Sequence, residues 1–274
     1  MTDRAGGDGS RRPTKAERKD QARIEREQIQ RQMAARKRNR NIGIAVIALA
    51  VVAVLVVVLV VKPGSDPTSP GTADSPADLL AQAPDAKGDA GCDDVQTIGF
   101  YDGVNDPESP QYTDQAHIGA PGSAFPEMPP LTSYPSQPPV SGPHANIPPG
   151  PLPAGFYDDP PDLARVLHSL EHGASVVWYS PTATDQQLQP LRDFYDRDDP
   201  AVGQDRVIVA PYDYEGDGGQ LPSGVMMSLG AWHRQQNCSQ ISLPVAFDFT
   251  SQYSAPPFEG REYAGEAPEA GAAL

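Results

Sequence analysis

The heptad Leu167-His168-Ser169-Leu170-Glu171-His172-Gly173 sets two imidazoles four residues apart, with a carboxylate beside the second. On a helix that spacing puts both rings on one face, within reach of a single metal ion. The competing reading is one solvent-facing and one core-edge histidine at a common spacing. The chain has three further histidines, His117, His144 and His233. His144 sits in the Gly142-Pro143-His144 turn of a proline-stiffened loop, where rigid backbone can hold an imidazole as third ligand. His117 is the next candidate, and Met128 a softer one if the ion is copper. His233 lies past the third expected strand, beside Arg234, and is the least suitable. An imidazole-rich set suits copper or zinc.

The same residues also spell H-x-x-E-H, the motif of inverted zinc peptidases, in which Glu171 is the general base. That chemistry needs a further carboxylate ligand on a downstream helix. Here such helices offer only Asp193, Asp196 and Asp248, and Gly173 ends the motif helix at once. Glu171 therefore reads as a partner behind the ligands or as a surface residue. No Gly-rich phosphate loop and no G-x-S-x-G is present. Cys92 and Cys238 form no C-x-x-C, and in an oxidising compartment they pair by default, closing a loop of about 145 residues. Two unrelated buried thiols are the alternative.

Several elements must position these groups. Pro160-Pro161-Asp162 opens a helix whose apolar face is Leu163, Val166, Leu167 and Leu170, and Gly173 stops it. Ser175–Tyr179 is a strand buried on both sides. A helix over Thr184–Arg197, capped by Thr184 or Asp185, strands at Arg206–Ala210 and Val225–Ala231, and a helix within Ile241–Tyr253 follow. Val95–Tyr101 is an earlier strand. The order predicts an α/β or α+β fold, a mixed sheet with packed helices. Twenty of the thirty-one prolines lie between Pro63 and Pro160, which argues against long helices there.

Charge divides the chain. The net charge is −15, yet residues 1–41 carry thirteen Lys/Arg against six Asp/Glu. Between the basic tail and the acidic remainder, residues 42–61 run for twenty positions without a charge. A helix of that length spans roughly 30 Å, the thickness of a bilayer's hydrocarbon core. Arg36, Lys37, Arg38 and Arg40 precede it and place the N-terminus in the cytoplasm. These cations are set to meet anionic lipid headgroups, and juxtamembrane placement explains the charge without nucleic acid. The expected layout is a cytoplasmic basic tail (1–41), a single transmembrane helix (42–61), a disordered Pro/Ser/Asp-rich linker (62–90), an extracytoplasmic globular domain (91–253) and a disordered acidic tail (254–274).

Tyr134, Pro138-Pro139, Ser141-Gly142-Pro143-His144, the run Val166–Gly173, Val176–Tyr179 with Pro181, Ala231-Trp232, and Ala267-Pro268-Glu269-Ala270-Gly271 together resemble the domain of unknown function 3105 family. The resemblance covers about residues 117–253 and implies a bacterial single-pass membrane protein with its domain outside. It implies no activity, but His117, His144, His168 and His172 match family histidines. The chain departs from the family at Pro148–Phe156, where relatives carry a cysteine, and at His233, where they have glycine.

The expectation is thus a membrane-anchored extracytoplasmic domain of the cell membrane that binds copper or zinc through His144, His168, His172 and His117. Binding is favoured over catalysis. The alternatives are a metal-free cell-envelope binding or scaffolding module and, third, an H-x-x-E-H zinc hydrolase. Composition names no protein partner.

Overall fold

A computed structural model describes residues 75–109, 111–196 and 206–274. The expected cytoplasmic tail and transmembrane helix lie outside the described residues, and among those described no helix is long and apolar enough to cross a membrane. In chain order the elements are α1 (Pro76–Asp89), β1 (Gln96–Thr97), β2 (His117–Ile118), β3 (His144–Ala145), β4 (Gly155–Phe156), α2 (Leu163–Glu171), β5 (Ser175–Tyr179), α3 (Asp185–Tyr195), β6 (Val207–Pro211), β7 (Met227–Ala231), β8 (Arg234–Cys238) and α4 (Leu243–Tyr253).

The continuous apolar runs of β5 and β6 have no polar side to give to water, so both strands sit inside the sheet with every residue of β5 buried. They pair in parallel, Val176 opposite Ile208 and Trp178 opposite Ala210. Antiparallel β7 flanks β5 on its other side. The mixed sheet runs β1-β8-β7-β5-β6-β4, and β2 and β3 form a separate parallel pair.

Because side chains alternate along a strand, the sheet makes two cores. Val177, Tyr179, Val207, Val209, Met227 and Leu229 pack beneath Leu79 of α1, Leu191 of α3 and Phe247 of α4. Val176, Trp178, Ile208 and Ala210 face the other way, against Leu163, Val166, Leu167 and Leu170 of α2 and the loop residues Tyr134, Val140 and Leu152. The histidine-bearing helix and the proline-rich loops therefore share one face of the sheet.

The expected mixed sheet with helices stands, and three boundaries are corrected. Residues 76–89, read as linker, are helical. Ser75 accepts a hydrogen bond from Asp78 N–H while the Asp78 carboxylate accepts from Ser75 N–H, Pro76 occupies the first turn, and Leu79 and Ala83 are buried. A capping box and an apolar contact override the low helix propensity of a stretch that even contains Pro84. The C-terminal stretch, read as a disordered tail, is held by backbone hydrogen bonds from Glu269 N–H to Glu171 O and from Gly271 N–H to His172 O. The strand expected over Val95–Tyr101 shrinks to two residues, and polar β8 was not expected at all. It joins the sheet because its buried glutamines find acceptors: Gln235 donates to Pro138 O and Gln236 to Asp93 O. Cys92 and Cys238 form the expected disulfide, 146 residues apart.

Candidate metal centre

Helix α2 carries the site, and its ends are well specified. The Asp162 carboxylate accepts from Ala164 and Arg165 N–H at the start. At the other end His172 is the capping residue, and Gly173 follows at φ +87°, where a Cβ would stand 2.7 Å from Ala255 Cβ. Ser169 ties the proline-rich loop to the helix: its hydroxyl donates to Leu152 O and accepts from Leu152 N–H. Arg165 donates to Gly150 O and Pro151 O of the same loop.

His144 is delivered by the turn before it. Gly142 has φ +110°, and a Cβ there would meet the rings of Tyr134 and Tyr101 at 2.8 and 2.9 Å. Tyr134 donates to Pro143 O at 2.7 Å and fixes the turn. β3 then pairs in parallel with β2 so that His117 lies directly opposite His144. Their rings meet edge to face at 4.6 Å between centroids, and each stands about as close to His168, at 5.2 and 5.1 Å.

One ligand atom each from His117, His144, His168 and Glu171 can be chosen so that all lie within 4.8 Å of one another. A tetrahedral ion with bonds near 2.0–2.2 Å holds its donors about 3.3–3.6 Å apart, so these atoms must draw in somewhat to share one. His144 is fully buried, His168 and Glu171 nearly so, and His117 half-buried. The His144 Nε2–Glu171 Oε2 separation is 2.9 Å, with His117 Nε2 3.9 Å from the same oxygen.

His144 Nδ1–H donates to Gly142 O, a group that only accepts. His144 Nε2 and Glu171 Oε2 face each other at 2.9 Å, and neither has another hydrogen-bond partner. By the same logic His172 Nδ1–H donates to Ala273 O at 2.6 Å, which leaves its Nε2 to accept from His168 Nε2–H at 3.1 Å. His168 Nδ1 is then a lone pair, and it is buried without a partner. Burial and the neighbouring His144 and His172 push the His168 pKa down to about 4, and burial and His144 lower that of His117. Both rings are neutral at pH 7 and could take a metal without first losing a proton. Burial and the negative charges of Asp114 and Glu171 raise the Tyr112 hydroxyl to about 12, consistent with an anionic site.

Of the four expected ligands, His117, His144 and His168 come together, while His172 joins through its contact with His168. Two corrections concern the acids. Glu171 stands among the histidines and not behind them, its Oε2 2.9 Å from His144 Nε2 and 3.9 Å from His117 Nε2. Glu269, which enters the sequence reading through the family resemblance of the tail and not as a ligand, has its Oε2 3.2 Å from His172 Nε2. Met128 instead lines a hollow with Leu131, Pro161 and Tyr214. The carboxylates that a peptidase would need are misplaced, as α3 and α4, which carry Asp193 and Asp248, pack against the opposite face of the sheet. His233 stands apart, with Nδ1 2.9 Å from Ile98 O and Nε2 3.0 Å from the buried Asp114 carboxylate. Its φ of +56° is a left-handed conformation that glycine adopts most easily.

Residues 128–269 match the family described as Protein of unknown function (DUF3105). The match takes in His144, His168, Glu171, His172 and Glu269, and starts after His117. No curated protein and no solved structure matches the chain.

Proposed function

Because the chain belongs to the DUF3105 family, whose function is unknown, we propose from the chemistry of the site that the domain binds one transition-metal ion through His117, His144, His168 and Glu171. The observation that carries this reading is the largely buried cluster of His117, His144, His168 and Glu171, whose ligand atoms lie within 4.8 Å of one another, with no hydrogen bond recorded for His144 Nε2, His168 Nδ1 or Glu171 Oε2. Unpaired buried polar atoms cost about 1–3 kcal/mol each, and a cation relieves all three at once. Three imidazoles and one carboxylate suit zinc or copper(II), and the absence of any thiol or thioether in this set argues against copper(I).

We further propose that the domain is held outside the cytoplasm by a membrane helix over residues 42–61. The uncharged run, the basic residues before it and the Cys92–Cys238 disulfide support this arrangement. Binding and delivery of metal in the cell envelope is the role that fits both halves of the reading.

The test is elemental analysis of the full chain purified in detergent, beside a His144→Ala/His168→Ala variant. The wild type is expected to retain close to stoichiometric zinc or copper after desalting. The variant loses affinity by at least about 100-fold. Equal metal in both overturns the proposal.

A further inference from the structure

Glu171 belongs to two ligand groups. Besides the set with His117, His144 and His168, it forms a second with His172 and Glu269, again with ligand atoms within 4.8 Å of one another. Resting on the metal-binding reading above, we propose that the centre takes a second divalent transition-metal ion, held by His172 and Glu269 and bridged to the first through the Glu171 carboxylate.

Three observations point to this. First, the shared residue is suited to bridging: Glu171 is 2 % exposed, and its Oε2 is buried without a hydrogen bond. A carboxylate with two oxygens can serve two ions, which in bridged pairs sit about 3.5–4 Å apart. Second, His172 is oriented for the role. Ala273 O holds its Nδ1–H, so Nε2 is the lone-pair atom, 3.2 Å from Glu269 Oε2. A ring whose other nitrogen is anchored to a carbonyl has the usual arrangement of a metal-binding histidine. Third, the C-terminal stretch that brings in Glu269 is fixed in place. Glu269 N–H donates to Glu171 O, Gly271 N–H donates to His172 O, and Arg206 donates to Gly271 O and Ala272 O. The two acids are thus joined by a backbone hydrogen bond.

The two positions differ in character. The first is buried and rich in nitrogen. The second is richer in oxygen and faces solvent through Glu269, whose side chain is 54 % exposed. His172 Nε2 also lies 3.1 Å from His168 Nε2 and must give up that hydrogen bond to bind an ion. The second position is therefore the weaker one, and the one that an ion arriving from solvent meets first.

The experiment is titration of the metal-free full chain with Zn²⁺ alone, beside Glu269→Gln, and the same titration with Cu²⁺ followed by electron paramagnetic resonance. Glu269→Gln keeps the backbone hydrogen bond and changes an exposed side chain, so the fold is retained. The wild type is expected to bind two Zn²⁺, the second more weakly. In the variant the second affinity falls at least about tenfold while the first is unchanged. The second equivalent of Cu²⁺ diminishes the spin signal per ion, because carboxylate-bridged ions couple. A single ion in both proteins overturns the bridged pair and leaves the first site standing. No ion in either overturns both readings. Two ions in both proteins with undiminished signal puts the second ion elsewhere and overturns the bridge.

Discussion

Glu171 concentrates the conflict between stability and function in one side chain. Its carboxylate is buried 2.9 Å from His144 Nε2, and its Oε2 has no other hydrogen-bond partner, so in the metal-free protein one buried charge rests on a single neighbour. Glutamine at this position removes the charge and supplies an amide N–H that can donate to His144 Nε2. Metal-free Glu171→Gln is therefore expected to be more stable than metal-free wild type, by about 0.5–2 kcal/mol. The stabilisation that added Zn²⁺ gives the wild type, which grows with metal concentration, should be largely lost. Thermal melts of both proteins with and without Zn²⁺ check this, and a metal-free variant less stable than wild type would sink it. The sequence disclosed the histidines of this site better than its acids. Two rings at helical spacing are a pattern visible in one dimension, and His144 is marked by the turn that holds it. Whether Glu171 faces the ligands or the solvent depends on where β3 crosses α2, and no local spacing encodes that. His233 shows the same limit: beside Arg234 it reads only as the least suitable ligand, and the fold reveals Asp114 as its buried partner.

At the scale of elements, those that announce themselves do so through consistent local signals. β5 and β6 are uninterrupted apolar runs, α2 has its capping acid, apolar stripe and glycine stop, and α3 is capped by Thr184 as expected despite Pro190. Helix α1 is the opposite case, because its composition is that of a linker and only two of its side chains, Leu79 and Ala83, are buried beyond the ordinary. Its order comes from tertiary contact with α4 and from Cys92, just beyond its end. Leu79 is fully buried in the core on that face. Leu79→Ala should therefore cost about 2–5 kcal/mol, as for other buried leucines, against essentially nothing for a residue in a linker. A denaturant titration reads the difference, and an unchanged midpoint would return residues 76–89 to the linker. Since α1 packs on the sheet face away from α2, metal content per folded chain should not change.

The whole molecule joins three separate signals: an uncharged run of twenty residues, a basic stretch before it, and one disulfide across nearly the full length of the domain. Each has an independent physical cause, and all three fit one topology, in which the domain folds where thiols oxidise. The disulfide ties the end of α1 to the outer end of β8, and Cys238 packs in the core on the side away from the histidines. It thus bears on the stability of the domain and not on the geometry of the metal centre. Deleting residues 42–61 should strand the chain in a reducing cytosol, where Cys92 and Cys238 stay free. For a loop of this length the chain-entropy estimate of the lost stabilisation is about 4–5 kcal/mol. In a domain of this size each kcal/mol corresponds to about 2–4 °C in the melting temperature, so the loss lowers it by roughly 8–20 °C. Blocking free thiols in intact cells and comparing mobility with and without reductant distinguishes the two states. Oxidised cysteines in the full chain and free ones in the deletion support an extracytoplasmic domain, whereas free thiols in both would place it in the cytoplasm. Zinc uptake by the folded deletion variant, reoxidised or not, should match the full chain, because the sheet stands between the disulfide and the site.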